Sequence, residues 1–334
     1  MAVSGCYEDY VTDWYKSGIY VAYQYDLRTF VLDEQPRFDF TVGLAGVIEN
    51  RQDRAVRVEL DHSLLTSDLS EFATEPCKAF TAFEGLTGKA PIGLLCQDYV
   101  STEVSAAGIS ALTPLPEEYF TVTGLSGMTI RKGSHTAAAT ITAIDAIKDD
   151  AKAFKPYYAL GFRVISAEAD TLVRDKSFEI IAVKCENRFY GNWNHGGKTT
   201  VLDDSTGEVL SEEIYKFAIP QDDSKVYTLT TVSANTVQTN RMANGTGNLV
   251  LKFAQDGTID VSDGTGLYNL VPAEEGSRFN GAKRLQDRKL FLNYAYSNGD
   301  GSTTYVTDTL YFRNRIRDGV NEWQDENPEN YNDL

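Results

Sequence analysis

The chain has 334 residues, room for about two domains, and 42% of them are hydrophobic and 24% charged, as in an ordinary globular protein. No stretch approaches the roughly 20 apolar residues that a membrane-spanning helix needs. The net charge of −17, from 31 basic and 48 acidic residues, repels phosphate backbones and anionic lipid, which argues against nucleic acid as a partner and against direct membrane contact.

The chain opens "MAVSGCYEDYVTD", with Cys6 behind Val3-Ser4-Gly5, a box of small residues of the kind cleaved and lipidated in bacterial lipoproteins. A basic stretch and an apolar run should precede such a box, and here only Met1 and Ala2 stand before it. Cys6 is therefore either an anchor site or an ordinary sixth residue. Strands follow: "GIYVAYQ" (18–24), "RTFVLD" (28–33), "RFDFTVGLAGVI" (37–48) and "RAVRVELD" (54–61) are β-branched and aromatic, and "RVELD" alternates as a half-buried strand does. Residues 66–114 break the rhythm with Gly, Pro, Cys77 and Cys96. They read as an excursion with one short helix near 101–107 and two cysteines that either pair or stay as buried thiols. The series resumes with "YFTVTG" (119–124), "MTIRKG" (128–133), "TAAATITAI" (136–144), "YYALGFRVISA" (157–167) and "KSFEIIAVKCENRFYGNW" (176–193). Short strands at this spacing predict an all-β fold, with residues 18–186 an immunoglobulin-like β-sandwich.

A second all-β unit is expected over 187–316. "NLVLKFAQDGTIDVSD" (248–263) turns at Asp256-Gly257, and "KLFLNYAYSNGDGSTTYVTDTLYFRNR" (289–315) turns at 298–301, both hairpin signals. A meander of this kind favours a closed antiparallel, lipocalin-like barrel, with a second sandwich as the alternative. Gly-x-Trp at Trp193 fits the first strand of such a barrel. There the Trp closes one end under an arginine of the last strand, for which Arg313 and Arg315 are placed. The acidic stretch 317–334 is expected to be a loose tail.

Catalysis finds little support. G-x-S-x-G, H-E-x-x-H, a P-loop and G-x-G-x-x-G are all missing, and the cysteines and three His lack zinc spacing. No cofactor or metal is expected, and the Asp residues at 256, 260 and 263 lack the EF-hand pattern. The 19 Tyr, 16 Phe and 3 Trp suit half-buried sheet faces, and they equally suit surfaces that stack on sugars. The best-supplied segments are 188–197, 271–281 and 292–305, which nominate Tyr190, Trp193, Asn194, Arg278, Tyr294 and Tyr296 as ligand residues. Alternation puts Tyr294 and Tyr296 on one face, which can also be core.

Many segments together, among them "CYEDYVTDW", "GIYVAYQYDLRTFVLDE", "LAGVIENRQDRAVRVELDHSLL", "YVSTEV", "LTPLPEEYFTVTGLSGMTIRKGSHTAAATI" and "LYFRNRIRDGVNEW", resemble a Bacteroidetes surface-lipoprotein family. The N-terminal part resembles the domain of unknown function numbered seventeen thirty-five, and the rest its companion β domain. The resemblance implies lipidation at Cys6, export to the cell surface signalled by Glu8 and Asp9, and residues 1–17 as a tether. It also implies a place in the outer membrane beside SusC/SusD-like glycan uptake proteins, with contact to the membrane only through the lipid. The expected function is a non-catalytic accessory that binds polysaccharide or oligosaccharide. A structural or adhesion component that binds protein partners is the alternative.

Overall fold

The computed structural model describes residues 16–65 and 103–324, except 105, 110, 220, 221, 223, 224 and 274. Cys6, the Cys77–Cys96 question and most of the 66–114 excursion lie outside the described residues. The chain divides into two compact units, 1–185 and 186–334.

Among the described residues, the first unit holds eleven strands: β1 (Gly18–Val21), β2 (Tyr25–Leu32), β3 (Arg37–Ala45), β4 (Arg54–Leu60), β5 (Thr113–Pro114), β6 (Phe120–Thr123), β7 (Thr129–Ile130), β8 (Thr136–Ala143), β9 (Tyr158–Ala167), β10 (Thr171–Leu172) and β11 (Phe178–Asn187). One sheet runs β10-β1-β3-β8-β6. The other runs β2-β11-β9-β4-β7, with β5 on β9. Alternating apolar residues fill the space between them, and Phe40 of β3 stacks on Phe162 of β9 at 4.5 Å. The architecture is a β-sandwich.

Strand β11 is buried on both faces. Ile180 and Ala182 turn outward and are covered by Val104 and Leu112, so the end of the 66–114 excursion is part of the fold. Lys184 pairs with Glu103 there at 2.7 Å. At the other end of the chain's first unit, Ser17 is nearly buried and donates through its N–H and hydroxyl to Asp170, each at 2.7 Å, so the expected tether is fixed by its seventeenth residue. The opposite face of β11 carries the buried Glu179, beside the half-buried Asp26 and Arg28 of β2, with Arg28 Nε at 2.8 Å from Asp26.

The second unit comprises β12 (Gly191–Asp203), β13 (Val209–Tyr215), β14 (Tyr227–Ser233), β15 (Thr236–Thr239), β16 (Leu249–Phe253), β17 (Thr258–Asp263), β18 (Asn269–Val271), β19 (Ser277–Phe279), β20 (Lys289–Ser297), β21 (Ser302–Arg317) and β22 (Val320–Glu322). Neighbours pair in the order β12-β14-β15-β16-β17-β19-β20-β21, and β21 pairs back with β12, closing an eight-stranded antiparallel barrel. The expected Asp256-Gly257 and 298–301 turns are both present, with Gly257, Gly299 and Gly301 at positive φ. Asp256 accepts from the Thr258 N–H and Asp263 from those of Thr265 and Tyr268, so these carboxylates cap turns.

Two segments need description. The run 176–193 is not one continuous strand but two, β11 and β12, and the break falls where the second unit was expected to begin. The Asn187 side chain accepts from the Phe189 N–H at 2.9 Å and turns the chain, and Gly191 follows at φ +133°, where an added Cβ would come within 2.8 Å of Arg315 Cβ. The stretch after residue 316 is also not loose throughout. Gly319 turns it into β22, and Glu322 pairs with Arg315 and Arg317 of β21. Residues 325–334 lie outside the described residues.

Candidate functional site

The six nominated ligand residues do not share a surface. Trp193 is 0% exposed inside the barrel, donates its indole N–H to the Phe189 carbonyl at 3.1 Å and meets the Phe312 ring edge-on at 5.4 Å. Of the two candidate arginines, Arg315 is sealed in, with its guanidinium on Glu322 at 2.6 Å. Tyr294 is also interior, its hydroxyl accepting the Ala243 N–H at 2.8 Å. Tyr296 shares that inward face and packs edge-on against Tyr268 at 5.3 Å. Tyr190 sits half-buried in the turn before β12. Only Asn194 and Arg278 turn outward.

The barrel interior also holds a polar network. Asp308 of β21, fully buried, accepts from the Tyr227 hydroxyl at 3.0 Å, and His195 Nδ1 lies 3.3 Å from its other oxygen. Burial, reinforced by the Asp308 charge, pushes the Tyr227 and Tyr294 phenols well above their ordinary range. The network ties β12, β14 and β21 together around a carboxylate that would be costly to leave unpaired.

The outer wall is different. Residues directly opposite in antiparallel strands turn to the same face, as do residues two apart on one strand. Asn194 of β12 stands opposite Tyr311 of β21, and Tyr311 opposite Lys289 of β20. One rung along, Gly196 faces Thr309, Thr309 faces Phe291 and Phe291 faces Arg278 of β19. A third ring joins this face from the segment after β13. Phe217, 37% exposed, lies on Tyr311 with ring centroids 4.3 Å apart. Gly196 makes that possible, because a Cβ there would sit 2.5 Å from the Phe217 nitrogen.

The result is a row of three rings, Phe217, Tyr311 and Phe291, bordered by hydrogen-bonding groups. Lys289 Nζ lies 5.3 Å from the centre of the Tyr311 ring, and the Arg278 guanidinium 4.5 Å from that of Phe291. Neither cation forms an ion pair among the described residues. Lys198, further along β12, is neutralised by Glu212. Asn194 is 8% exposed, and its side-chain oxygen, as the amide is assigned, has no hydrogen-bond partner among the described residues.

Phe217, Phe291, Lys289 and Tyr311 are not among the nominated residues. The signal for them was the other phase of the same alternation: in "KLFLNYAYS" the tyrosines at 294 and 296 take the core side and Phe291 and Asn293 the solvent side. The Gly196-Gly197 pair was the mark of a close backbone approach.

No family model matches the chain, and no curated protein matches it. Among solved structures, a protein of unknown function from Bacteroides ovatus is 19% identical, with 94% of this chain and 99% of that one covered and a TM-score of 0.59. A multidomain protein including DUF1735 from Bacteroides ovatus is 12% identical, covering 92% and 99%, with a TM-score of 0.40. An auxiliary nutrient binding protein from Bacteroides thetaiotaomicron is 10% identical, covering 85% of each chain, at 0.35. The first likeness is one of fold. The other two scores are too low to carry an argument.

Proposed function

We propose that this protein binds carbohydrate without turning it over, and that the Phe217–Tyr311–Phe291 row is the binding face. The row itself carries the proposal. Sugars present C–H faces that lie on aromatic rings, and their hydroxyls need polar partners at the border, which Arg278, Lys289, Thr309 and Asn293 supply. In the free protein Arg278 and Lys289 lie over two of the rings. An exposed cation–π contact is worth about 0.5–1 kcal/mol, so a sugar ring displaces them at small cost and meets them as hydrogen-bond donors.

Isothermal titration against plant, host and microbial polysaccharides, with product analysis alongside, tests this. Tyr311→Ala is expected to weaken binding at least about tenfold, equivalent to ~1.4 kcal/mol. Its melting temperature should stay within a few degrees of wild type, since Tyr311 lies on the outer wall. Release of sugar would overturn the non-catalytic reading.

The setting we propose is the outer-membrane surface, with Cys6 lipidated and the protein serving a SusC/SusD-like uptake system. It rests on the sequence resemblance and the lipoprotein box. In a Bacteroidetes host, with a full signal peptide in front, wild type should partition to the membrane and Cys6→Ala should not. Equal membrane association of the two would sink the anchor.

A structural component that binds protein is the second reading, and the β13 edge favours it. Val209, Leu210 and Ile214 are each more than half exposed on a strand that, among the described residues, pairs only with β12. Failure to bind any glycan, together with a partner protein lost on Ile214→Lys, would select this reading.

A further inference from the structure

We propose that the ligand of the aromatic face is an acidic sugar, one carrying a carboxylate such as a uronic acid. This inference rests on the glycan-binding reading and narrows it. The protein has 48 acidic residues against 31 basic ones, so a cation on its surface has acidic partners in excess. Yet Arg278 and Lys289, the two cations bordering the ring row, form no ion pair among the described residues and lie instead over aromatic rings. Lys198 on the same sheet face shows the usual outcome, a contact with Glu212.

The placement suits one ligand geometry. Arg278 is directly opposite Phe291, and Lys289 precedes Phe291 by two residues on the same face. The two cations are therefore diagonal neighbours, with backbones roughly 7–8 Å apart and Phe291 next to each of them. A sugar ring lying on Phe291 and Tyr311 holds its substituents in the plane of the face, within reach of both. The planar guanidinium fork matches a carboxylate in two parallel hydrogen bonds, which a neutral hydroxymethyl group cannot reciprocate. The ammonium of Lys289 adds a second, less directional contact. Because the protein as a whole repels polyanions, such binding needs these local contacts and does not arise from a general basic surface.

The test pairs each of three oligomeric hexuronates, from polygalacturonate, alginate and hyaluronan, with its carboxyl-reduced neutral counterpart. Dextran sulfate and dextran serve as a charge control. Titration of the full chain is expected to show at least one hexuronate binding about tenfold or more tighter than its reduced form. Arg278→Ala and Lys289→Ala should each bring the acidic form down towards the reduced form, while Tyr311→Ala weakens both. Both cations are exposed, so these variants should fold, and unchanged circular dichroism would verify it. Equal binding of acid and reduced forms, with Tyr311→Ala still weakening both, would overturn the acidic-sugar inference alone. So would dextran sulfate binding as tightly as the best hexuronate. No binding to any oligomer would overturn the glycan reading itself.

Discussion

Trp193→Ala is expected to destabilise the barrel unit by about 3–5 kcal/mol, the range for deleting a large core aromatic. The indole is wholly enclosed, donates to the Phe189 carbonyl and packs edge-on against Phe312. Alanine removes that contact area, leaves a cavity and orphans a buried carbonyl. At about 2–4 °C per kcal/mol for a unit of this size, the melting temperature should fall by roughly 6–20 °C. Chemical denaturation should show a lower midpoint with the slope unchanged. Phe312→Leu, which keeps an apolar branched side chain at the site and loses the edge contact with part of the volume, should cost less. An unchanged melting temperature in Trp193→Ala would mean that the residue does not hold the barrel closed.

The second large effect concerns Glu179 and has the opposite sign. Glu179 is buried beside the half-buried Asp26, whose carboxyl lies 2.8 Å from Nε of Arg28, an arginine whose side chain is one-third exposed. Burial, together with the Asp26 charge, raises the Glu179 carboxyl well above its ordinary range, and Arg28 only partly offsets this. The folded protein therefore holds a proton that the unfolded chain gives up near its ordinary pKa of 4.5. Between that value and the raised one, the native state binds more protons than the unfolded state, so stability falls as pH rises. Glu179→Gln mimics the protonated form at every pH. It is expected to gain about 1–3 kcal/mol at slightly alkaline pH, the scale on which neutral groups outperform buried ionic ones, and almost nothing near about pH 4. Melting curves of both proteins across that range check it. A Gln variant that is less stable at high pH would show that Glu179 is used as an anion.

The part of the fold that was legible in the sequence is the part set by local chemistry. Asp256-Gly257 and Asn298–Gly301 place hairpins because those residues accept positive φ wherever the strands end up. The burial of Trp193 follows from its place at the start of a closing strand. The shared face of Tyr294 and Tyr296 follows from the pleat. What stayed hidden depends on partners distant in the chain. Nothing in "VLSEEIY" alternates, because β13 is an exposed edge whose two faces are both wet, so its strand character comes from pairing with β12. The row of Phe217, Tyr311 and Phe291 draws on segments around residues 196, 217, 291 and 311. They meet only because β12 closes on β21 in one particular register. A one-residue shift would send Phe291 and Tyr311 inward and Leu290 and Leu310 outward. The hairpin at 317–322 was masked by its acidic composition, which Glu322 in fact spends on Arg315 and Arg317.

The most direct test of the binding face is a nuclear magnetic resonance titration of protein labelled on its Tyr and Phe rings, using the tightest-binding oligosaccharide from the calorimetric panel. The account predicts that ring signals of Phe217, Tyr311 and Phe291 shift together with a single affinity, while those of the interior Tyr227 and Tyr294 stay in place. Shifts confined to other rings, with these three unmoved at saturating ligand, would contradict it.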